Sequence, residues 1–387
     1  MTSRRILVVD HHAIHSSGHA LYRAIATEDG FDLRVIVPRV WNEHGVTTNF
    51  DESEASRLII VPSALLFDGK THRNLYGRLG RELRTFRPHI LLVNSEPEGF
   101  LAFQAVLLCR LFSPNTAVVF MTWRNMRYGE PGVPFPVKWP WLSTLIEEYV
   151  LPRAAHGIAL SPSAPAIFRS RGFNNISHIP PWVDQQLFSP GVKITTDPGE
   201  GVRELHVGYV GRFVAEKGIM LLLDAVGAAG ISGRITLLGE GPLRADLELR
   251  ARRLGRNVRV EFLSAVPHPQ VPSILRRFDV LVLASTDRPG WSEQFGRVLI
   301  EAMACGVPVI GSSSGAIPSV IGDAGIIVRA GDVSGLATAL RRLYENPAER
   351  GRLSEAGLRR VSAEFSVPVV ARKYAELFHR ISVKPVS

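Results

Sequence analysis

Cysteine is nearly missing from this chain of 387 residues, which holds only Cys109 and Cys305, far apart and each inside an apolar stretch. That scarcity excludes a disulfide framework and fits a reducing compartment. Long hydrophobic runs are missing too. No stretch approaches the roughly 18 apolar residues of a membrane-spanning helix, and the run after the opening arginines, Ile6 to Val9, is too short for a secretory signal. The expected location is the cytoplasm, with peripheral attachment to the inner face of an anionic membrane as the one membrane mode left open. Several nucleotide and hydrolase motifs are absent as well: neither GxGxxG nor GxxxxGK[ST] follows a predicted strand, and there is no GxSxG elbow, so hydride transfer, P-loop ATP hydrolysis and nucleophile-elbow hydrolysis lose their main support. His11, His12 and His15 match no zinc-ligand spacing, and no metal is expected.

What is present is a folded chain with 45% hydrophobic residues, enough for two cores. Lys and Arg outnumber Asp and Glu by 45 to 36, giving a net charge of +9. The excess suits anionic ligands or an acidic membrane face. With no zinc finger, dense basic arm or aromatic-basic strand, no nucleic acid partner is expected.

Short apolar runs alternate with helical patterns. Arg5 to Asp10, Leu33 to Pro38, Arg57 to Val61, His89 to Asn94 and Ala117 to Met121 read as buried strands, with helices Gly18 to Thr27, Gly77 to Phe86 and Gly99 to Leu111 among them. The pattern breaks at Trp123-Arg124-Asn125 and the proline-rich PGVPFPVKWPW, which fits neither a central strand nor a regular helix. It resumes through Ile176 to Ile179. Residues 191–204, rich in Gly and Pro among polar residues, read as a linker. A second alternation starts at Leu205 to Val210 and continues to Val309-Ile310. These features predict an N-terminal α/β domain over 1–190, a C-terminal one over 205–365, and a helix within 366–387 that packs back on the first domain. Both sheets are expected to be mostly parallel and covered on both faces.

In such sheets ligands sit beyond the carboxyl ends of the strands, and the second domain offers three candidate segments there. Val207-Gly208-Tyr209-Val210-Gly211-Arg212-Phe213 is a strand followed by a turn: Gly211 lets backbone approach a ligand, and Arg212 and Lys217 place two cations for phosphate oxygens. Leu238-Gly239-Glu240-Gly241-Pro242 is a second tight turn. Asp287 to Gly315 carries Glu293 just before, and Glu301 within, a helix predicted from Gly296 to Cys305 and stopped by Gly306 and Pro308. The plain alternative is a solvated acidic pair beside ordinary strand-helix connectors. Ser312 to Pro318 is a further small-residue loop into a helix where amide groups would meet an anion, and His15-Ser16-Ser17-Gly18 is its analogue in the first domain.

Three segments in this order, GYVGRFVAEKG at Gly208 to Gly218, LGEGP at Leu238 to Pro242 and the E-x7-E of Glu293 and Glu301, resemble the retaining family-four glycosyltransferases (glycosyl transferases group 1). The resemblance implies a GT-B fold, two Rossmann-like doubly wound lobes facing across a cleft. It implies transfer of a hexosyl group from a nucleoside-diphosphate sugar, UDP- or GDP-linked, to a glycan, lipid-linked or small-metabolite acceptor, without a required cofactor or metal. Arg212 and Lys217 would hold the diphosphate near Gly211 and Glu240, Glu293 the hexose hydroxyls, and Glu301 the ribose, with the backbone of Gln294-Phe295-Gly296 facing the donor. Many relatives have a histidine after the strand Ala117 to Met121. Here Thr122-Trp123-Arg124-Asn125 stands in its place, so Trp123, Arg124 and Asn125, with Gly18 and Glu96, are the candidate acceptor or donor-sugar contacts. A non-catalytic sugar-nucleotide or glycan-binding protein of the same fold is the alternative expectation.

Overall fold

The computed structural model describes residues 3–15, 18–28, 30–43, 46–50, 58–67, 69, 72–130, 133, 139–191 and 204–381. Ser16 and Ser17, Arg57, most of the linker expected over 191–204, and most of the proline-rich stretch lie outside the described residues. The chain divides into two compact units: residues up to Pro180 together with those from Val367 onward, and Pro181 to Ser366.

In the first unit a seven-stranded sheet runs β11 (Ile176–His178), β10 (His156–Ala159), β9 (Ala117–Thr122), β8 (Ile90–Val93), β1 (Arg4–Val9), β2 (Phe31–Pro38), β5 (Ile59–Ser63) from edge to edge, every pairing parallel. Two small antiparallel hairpins, β3 (Val40–Glu43) with β4 (Val46–Asn49) and β6 (Leu65–Leu66) with β7 (Leu75–Tyr76), interrupt the alternation. Ile90-Leu91-Leu92-Val93 is buried at every position, as expected for a central parallel strand covered on both faces. The helix Val367–Arg380 belongs to this unit: it packs on His19–Thr27 and buries Val370, Tyr374 and Phe378, and the Phe378 ring meets Phe31 edge-on at 6.1 Å.

In the second unit a six-stranded sheet runs β14 (Val258–Leu263), β13 (Gly233–Leu238), β12 (Leu205–Val210), β15 (Val280–Leu283), β16 (Val309–Ser312), β17 (Gly325–Val328), again all parallel. Counted from its first strand, this is the doubly wound order 3-2-1-4-5-6, whose switch point lies between β12 and β15. The equivalent point of the first unit lies between β1 and β8. Residues 181–191, assigned from sequence to the first domain and linker, run along the second unit instead. The Val183 amide donates to the Phe365 carbonyl at 2.9 Å, Arg276 Nε to the Ser189 carbonyl at 2.7 Å, and Phe188 packs against the His268 ring at 5.1 Å.

Candidate active site

The switch point of the second unit gathers two of the three candidate segments, and the third braces them. β12 ends at Val210, and from Gly211 the chain turns through a 3-10 segment, Ala215–Lys217, into the helix Ile219–Ala229. Tyr209 fixes this turn by donating its hydroxyl to the Arg212 carbonyl at 2.8 Å. The LGEGP turn is its packing partner: the Phe213 amide donates to the Glu240 carbonyl at 2.7 Å, and a Cβ added to Gly239 (φ +143°) would lie 2.0 Å from the Gly211 carbonyl oxygen. Only glycine fits that contact and that backbone angle. Arg212 and the Glu240 side chain are exposed at this edge.

Glu293 comes to the Lys217 turn from the loop after β15. Its carboxylate is buried, with Oε2 accepting from Lys217 Nζ at 2.7 Å and from Ser285 Oγ at 2.8 Å. Lys217 Nζ also lies 5.4 Å from the centroid of the Trp291 ring. The loop is held by the serine run after β16. Ser312 Oγ donates to the Ser285 carbonyl at 2.5 Å, Ser314 Oγ to Asp287 Oδ1 at 2.6 Å, and the Glu293 amide to Ser314 Oγ at 3.3 Å. Ser312 and Ser314, expected in an anion-binding loop, are therefore buried braces, and the helix they enter, Ile317–Ile321, is only five residues long.

Gly296 (φ +81°) caps the helix Arg297–Ala304, turning the chain from the Glu293 loop into the helix that carries Glu301. The two glutamates are served by different neighbours. Glu301 Oε1 lies 3.1 Å from His268 Nε2 and 4.0 Å from Arg297. His268 was not singled out from the sequence, and it sits in a 3-10 turn, His268–Gln270, with no motif around it. Gln294 is exposed, whereas the Phe295 side chain is buried edge-on against Phe365 at 5.8 Å. The result is an acidic group pinned by a cation on a glycine-lined turn, with a second acidic group on an adjoining rigid helix.

The first-unit candidates separate into two groups. Glu96, after β8, accepts from Thr122 Oγ1 at 2.5 Å and from the Trp123 amide at 2.7 Å, tying the ends of β8 and β9 together. Burial, and then the charge of Glu98, push its carboxyl up to about 7, against the lowering pull of Arg124 and these two hydrogen bonds. Arg124, expected to meet a sugar, is instead 1% exposed and clamped between Glu98 Oε2 at 2.6 Å and Glu147 Oε1 at 2.7 Å, with Arg171 on the far oxygen of Glu147 at 2.6 Å. Its guanidinium is taken up in these pairs inside the fold. Trp123 and Asn125 are half-buried beside it. Gly18 caps the helix His19–Thr27, and a Cβ there would lie 2.8 Å from the His12 carbonyl, so its small size is a packing requirement.

Asp10, His11 and His12 place potential metal-ligating atoms within 4.8 Å of one another at the end of β1. Asp10 is already occupied: it accepts from Tyr22 Oη at 2.6 Å, Asn94 Nδ2 at 2.7 Å and the His12 amide at 2.9 Å. The two imidazoles are tilted by 35° with centroids 4.0 Å apart. Burial and the neighbouring His12 lower His11 to about 3, against the opposing charge of Asp10, so His11 is neutral at physiological pH.

Residues 195–360 match the family model of "Glycosyl transferases group 1". The chain is 30% identical over 166 residues to a 2-deoxystreptamine glucosyltransferase of Streptomyces kanamyceticus, covering 42% of each protein. It is 26% identical over 249 residues to a GDP-mannose-dependent phosphatidylinositol monomannoside mannosyltransferase of Corynebacterium glutamicum, covering 60% of this chain and 61% of that one. The match thus spans about half the length of such curated relatives. Among solved structures it is similar to Anabaena HepE in complex with UDP, with a TM-score of 0.70 and 16% identity over 98% of this chain and 100% of that one. It is also similar to a sucrose-phosphate synthase from Thermosynechococcus elongatus, with a TM-score of 0.63 and 22% identity over 97% and 98%. The fold is GT-B, as expected from the sequence, and the match to the glycosyl transferases group 1 model falls within the second unit.

Proposed function

We propose that this chain is a retaining glycosyltransferase that moves a hexosyl group from a nucleoside-diphosphate sugar to an acceptor hydroxyl. The observation that carries the reading is the contact between Lys217 and Glu293 at 2.7 Å on the glycine turn after β12, with Arg212 exposed on the same turn. A departing diphosphate needs cations that gain charge to neutralise as the bond breaks, and the half-buried Lys217 and the exposed Arg212 supply them. Glu293 grips the hexose hydroxyls and Glu301, steadied by His268, the ribose. That HepE was solved with UDP supports a nucleotide donor, and its solution with UDP-glucose points to UDP-glucose as the first to test.

In the step we propose, the anomeric carbon–oxygen bond to the diphosphate breaks and the acceptor oxygen bonds to the same face of that carbon. The acceptor proton passes to the leaving phosphate oxygen. Glu293 is hydrogen-bonded to Lys217 and Ser285 and acts as a sugar ligand, unlike the nucleophile of paired-carboxylate hydrolases.

Titration calorimetry against UDP-, GDP- and ADP-linked hexoses tests donor binding, and release of the nucleoside diphosphate tests turnover. Saturable binding of one donor class and turnover lost in Glu301→Ala are expected, with donor affinity weakened about 10- to 100-fold in that variant. No binding across the panel refutes the reading. Binding without turnover for any acceptor class would favour a non-catalytic sugar-nucleotide-binding protein.

A further inference from the structure

One flank of the first unit carries apolar side chains that the fold leaves outside. Trp141 is 65% exposed and Leu145 55% on the helix Pro140–Val150, with Trp139, 43% exposed, just before it. Leu107 and Leu111, 37% and 63% exposed, lie one turn apart on the helix Phe100–Phe112. The stripe Trp141, Leu145, Tyr149 follows i, i+4 spacing, as does Phe103, Leu107, Leu111, and the two stripes join where Phe103 packs on Tyr149 at 5.2 Å. Adjoining exposed apolar side chains on two neighbouring helices mark an interaction surface rather than scattered surface residues.

The charge around this patch is mostly positive. Arg73 lies over the Trp139 ring at 5.1 Å, Arg153 over Tyr149 at 4.2 Å and Arg84 over Phe112 at 3.8 Å, while Arg110 is exposed between Leu107 and Leu111. The helix Phe100–Phe112 has no acidic residue, and on the helix Pro140–Val150 Glu147 is buried in its pair with Arg124, leaving Glu148 as its exposed acid. A second copy docked by a twofold axis would bring two faces together on which four arginines, Arg73, Arg84, Arg110 and Arg153, outnumber the single exposed acid Glu148. An anionic lipid surface neutralises them instead. Tryptophan and arginine both suit the headgroup layer, since each pairs an apolar body with a polar end. No helix among the described residues is long and apolar enough to cross a bilayer, so the contact is in the plane of the membrane.

We propose that this face, centred on Trp141, Leu145, Leu107 and Leu111, docks the chain on anionic phospholipid. Resting on the transfer reading, it selects the lipid-linked class of acceptor, one presented at the bilayer surface where the docked enzyme can reach it. The docking itself needs neither donor nor turnover, so vesicle binding and donor binding fail separately.

The test is flotation of the whole chain with vesicles of phosphatidylcholine mixed with phosphatidylglycerol, against phosphatidylcholine alone. Flotation with the anionic vesicles is expected, weakening as salt is raised. Arg110→Gln should weaken it about fivefold, the effect of one interfacial arginine, and Trp141→Glu combined with Leu145→Glu should abolish it. Both replaced side chains are exposed, so circular dichroism and donor binding should be unchanged. Equal flotation of wild type and the double variant overturns the proposal, as does failure of the wild type to float. A dimer in sedimentation velocity that the same double variant dissolves would assign the face to a second copy and overturn it too.

Discussion

At the scale of single residues the Lys217–Glu293 contact makes a sharp prediction. Lys217 is the only cation within hydrogen-bond reach of the Glu293 carboxylate among the described residues, with Ser285 as the other side-chain partner. Lys217→Met strands a nearly buried carboxylate, so a loss of about 1–3 kcal/mol in stability is expected along with a fall in turnover of about 100-fold or more. Glu293→Gln removes the charge that Lys217 answers, so adding it to Lys217→Met should restore much of the stability and none of the activity. Thermal melts and donor-release rates on the double-mutant cycle decide this; strictly additive stability losses would mean that the pair is not coupled. Glu96 predicts a pH effect of known sign. Its carboxyl is raised from the usual value to about 7, so the native state binds more protons than the unfolded chain between those two values. Stability then falls as pH rises across that window and levels off above it. Glu96→Gln mimics the protonated form and should flatten that decline, by on the order of 1–2 kcal/mol between mildly acidic and mildly alkaline pH. Parallel melting curves for wild type and variant at all pH values would refute the shift.

Among secondary-structure elements, strands with dense apolar runs were legible from the sequence, the edge strands β5, β11 and β14 among them, while the last edge strand and the small hairpins were not. Leu205–Val210 and Val280–Leu283 emerge with the bounds read from their apolar runs, because a central parallel strand buried on both faces shows itself as continuous hydrophobicity. β17 was missed. It is four residues at the sheet edge, with Ile327 40% exposed, and gives no such run. The helices Val333–Glu345 and Pro347–Arg360 were missed despite readable starts, for Asp332 accepts from the Gly335 amide at 2.8 Å and Asn346 from the Glu349 amide at 3.1 Å. In the site, the glycine turn and both glutamates could be read, since local spacing carries them. His268 could not, because it reaches Glu301 across 33 positions. Nor could the burial of Arg124, whose partners Glu98 and Glu147 come from two other segments. The interlock of the two glycine turns gives the element-scale prediction. Gly239→Ala drives a methyl into the Gly211 carbonyl at an angle alanine avoids, so both turns must shift. A loss of about 1–3 kcal/mol is expected, with donor affinity falling alongside it. A variant with unchanged melting temperature and weakened donor binding would mean that the turn moves freely and is not braced by its neighbour.

For the whole molecule, the end of the chain completes the beginning. The helix Val367–Arg380 lies in the first unit, against His19–Thr27, and Arg4 of the first strand donates to the Ile381 carbonyl at 3.1 Å and to the carbonyl of Phe378. Val370, Ala371, Tyr374, Ala375, Leu377 and Phe378 are all buried there. Each large apolar side chain buried contributes roughly 1.5–3 kcal/mol, so the helix as a whole supplies as much as the entire stability of an ordinary domain, about 5–15 kcal/mol. The first unit is thus built from segments far apart in sequence, and the helix Val367–Arg380 is part of its core. Ending the chain after Ser366 removes that helix and nothing from the second unit. Scanning calorimetry of the shortened chain should show the transition of the first unit lost or lowered by many degrees while that of the second survives near its original temperature, and donor binding, proposed to rest on Lys217, Glu293 and Glu301, should survive with it. A shortened chain that keeps both transitions would make the helix an appendage. One that loses both would show that the second unit cannot fold without the first, and the donor site would then have to be studied only in the full chain.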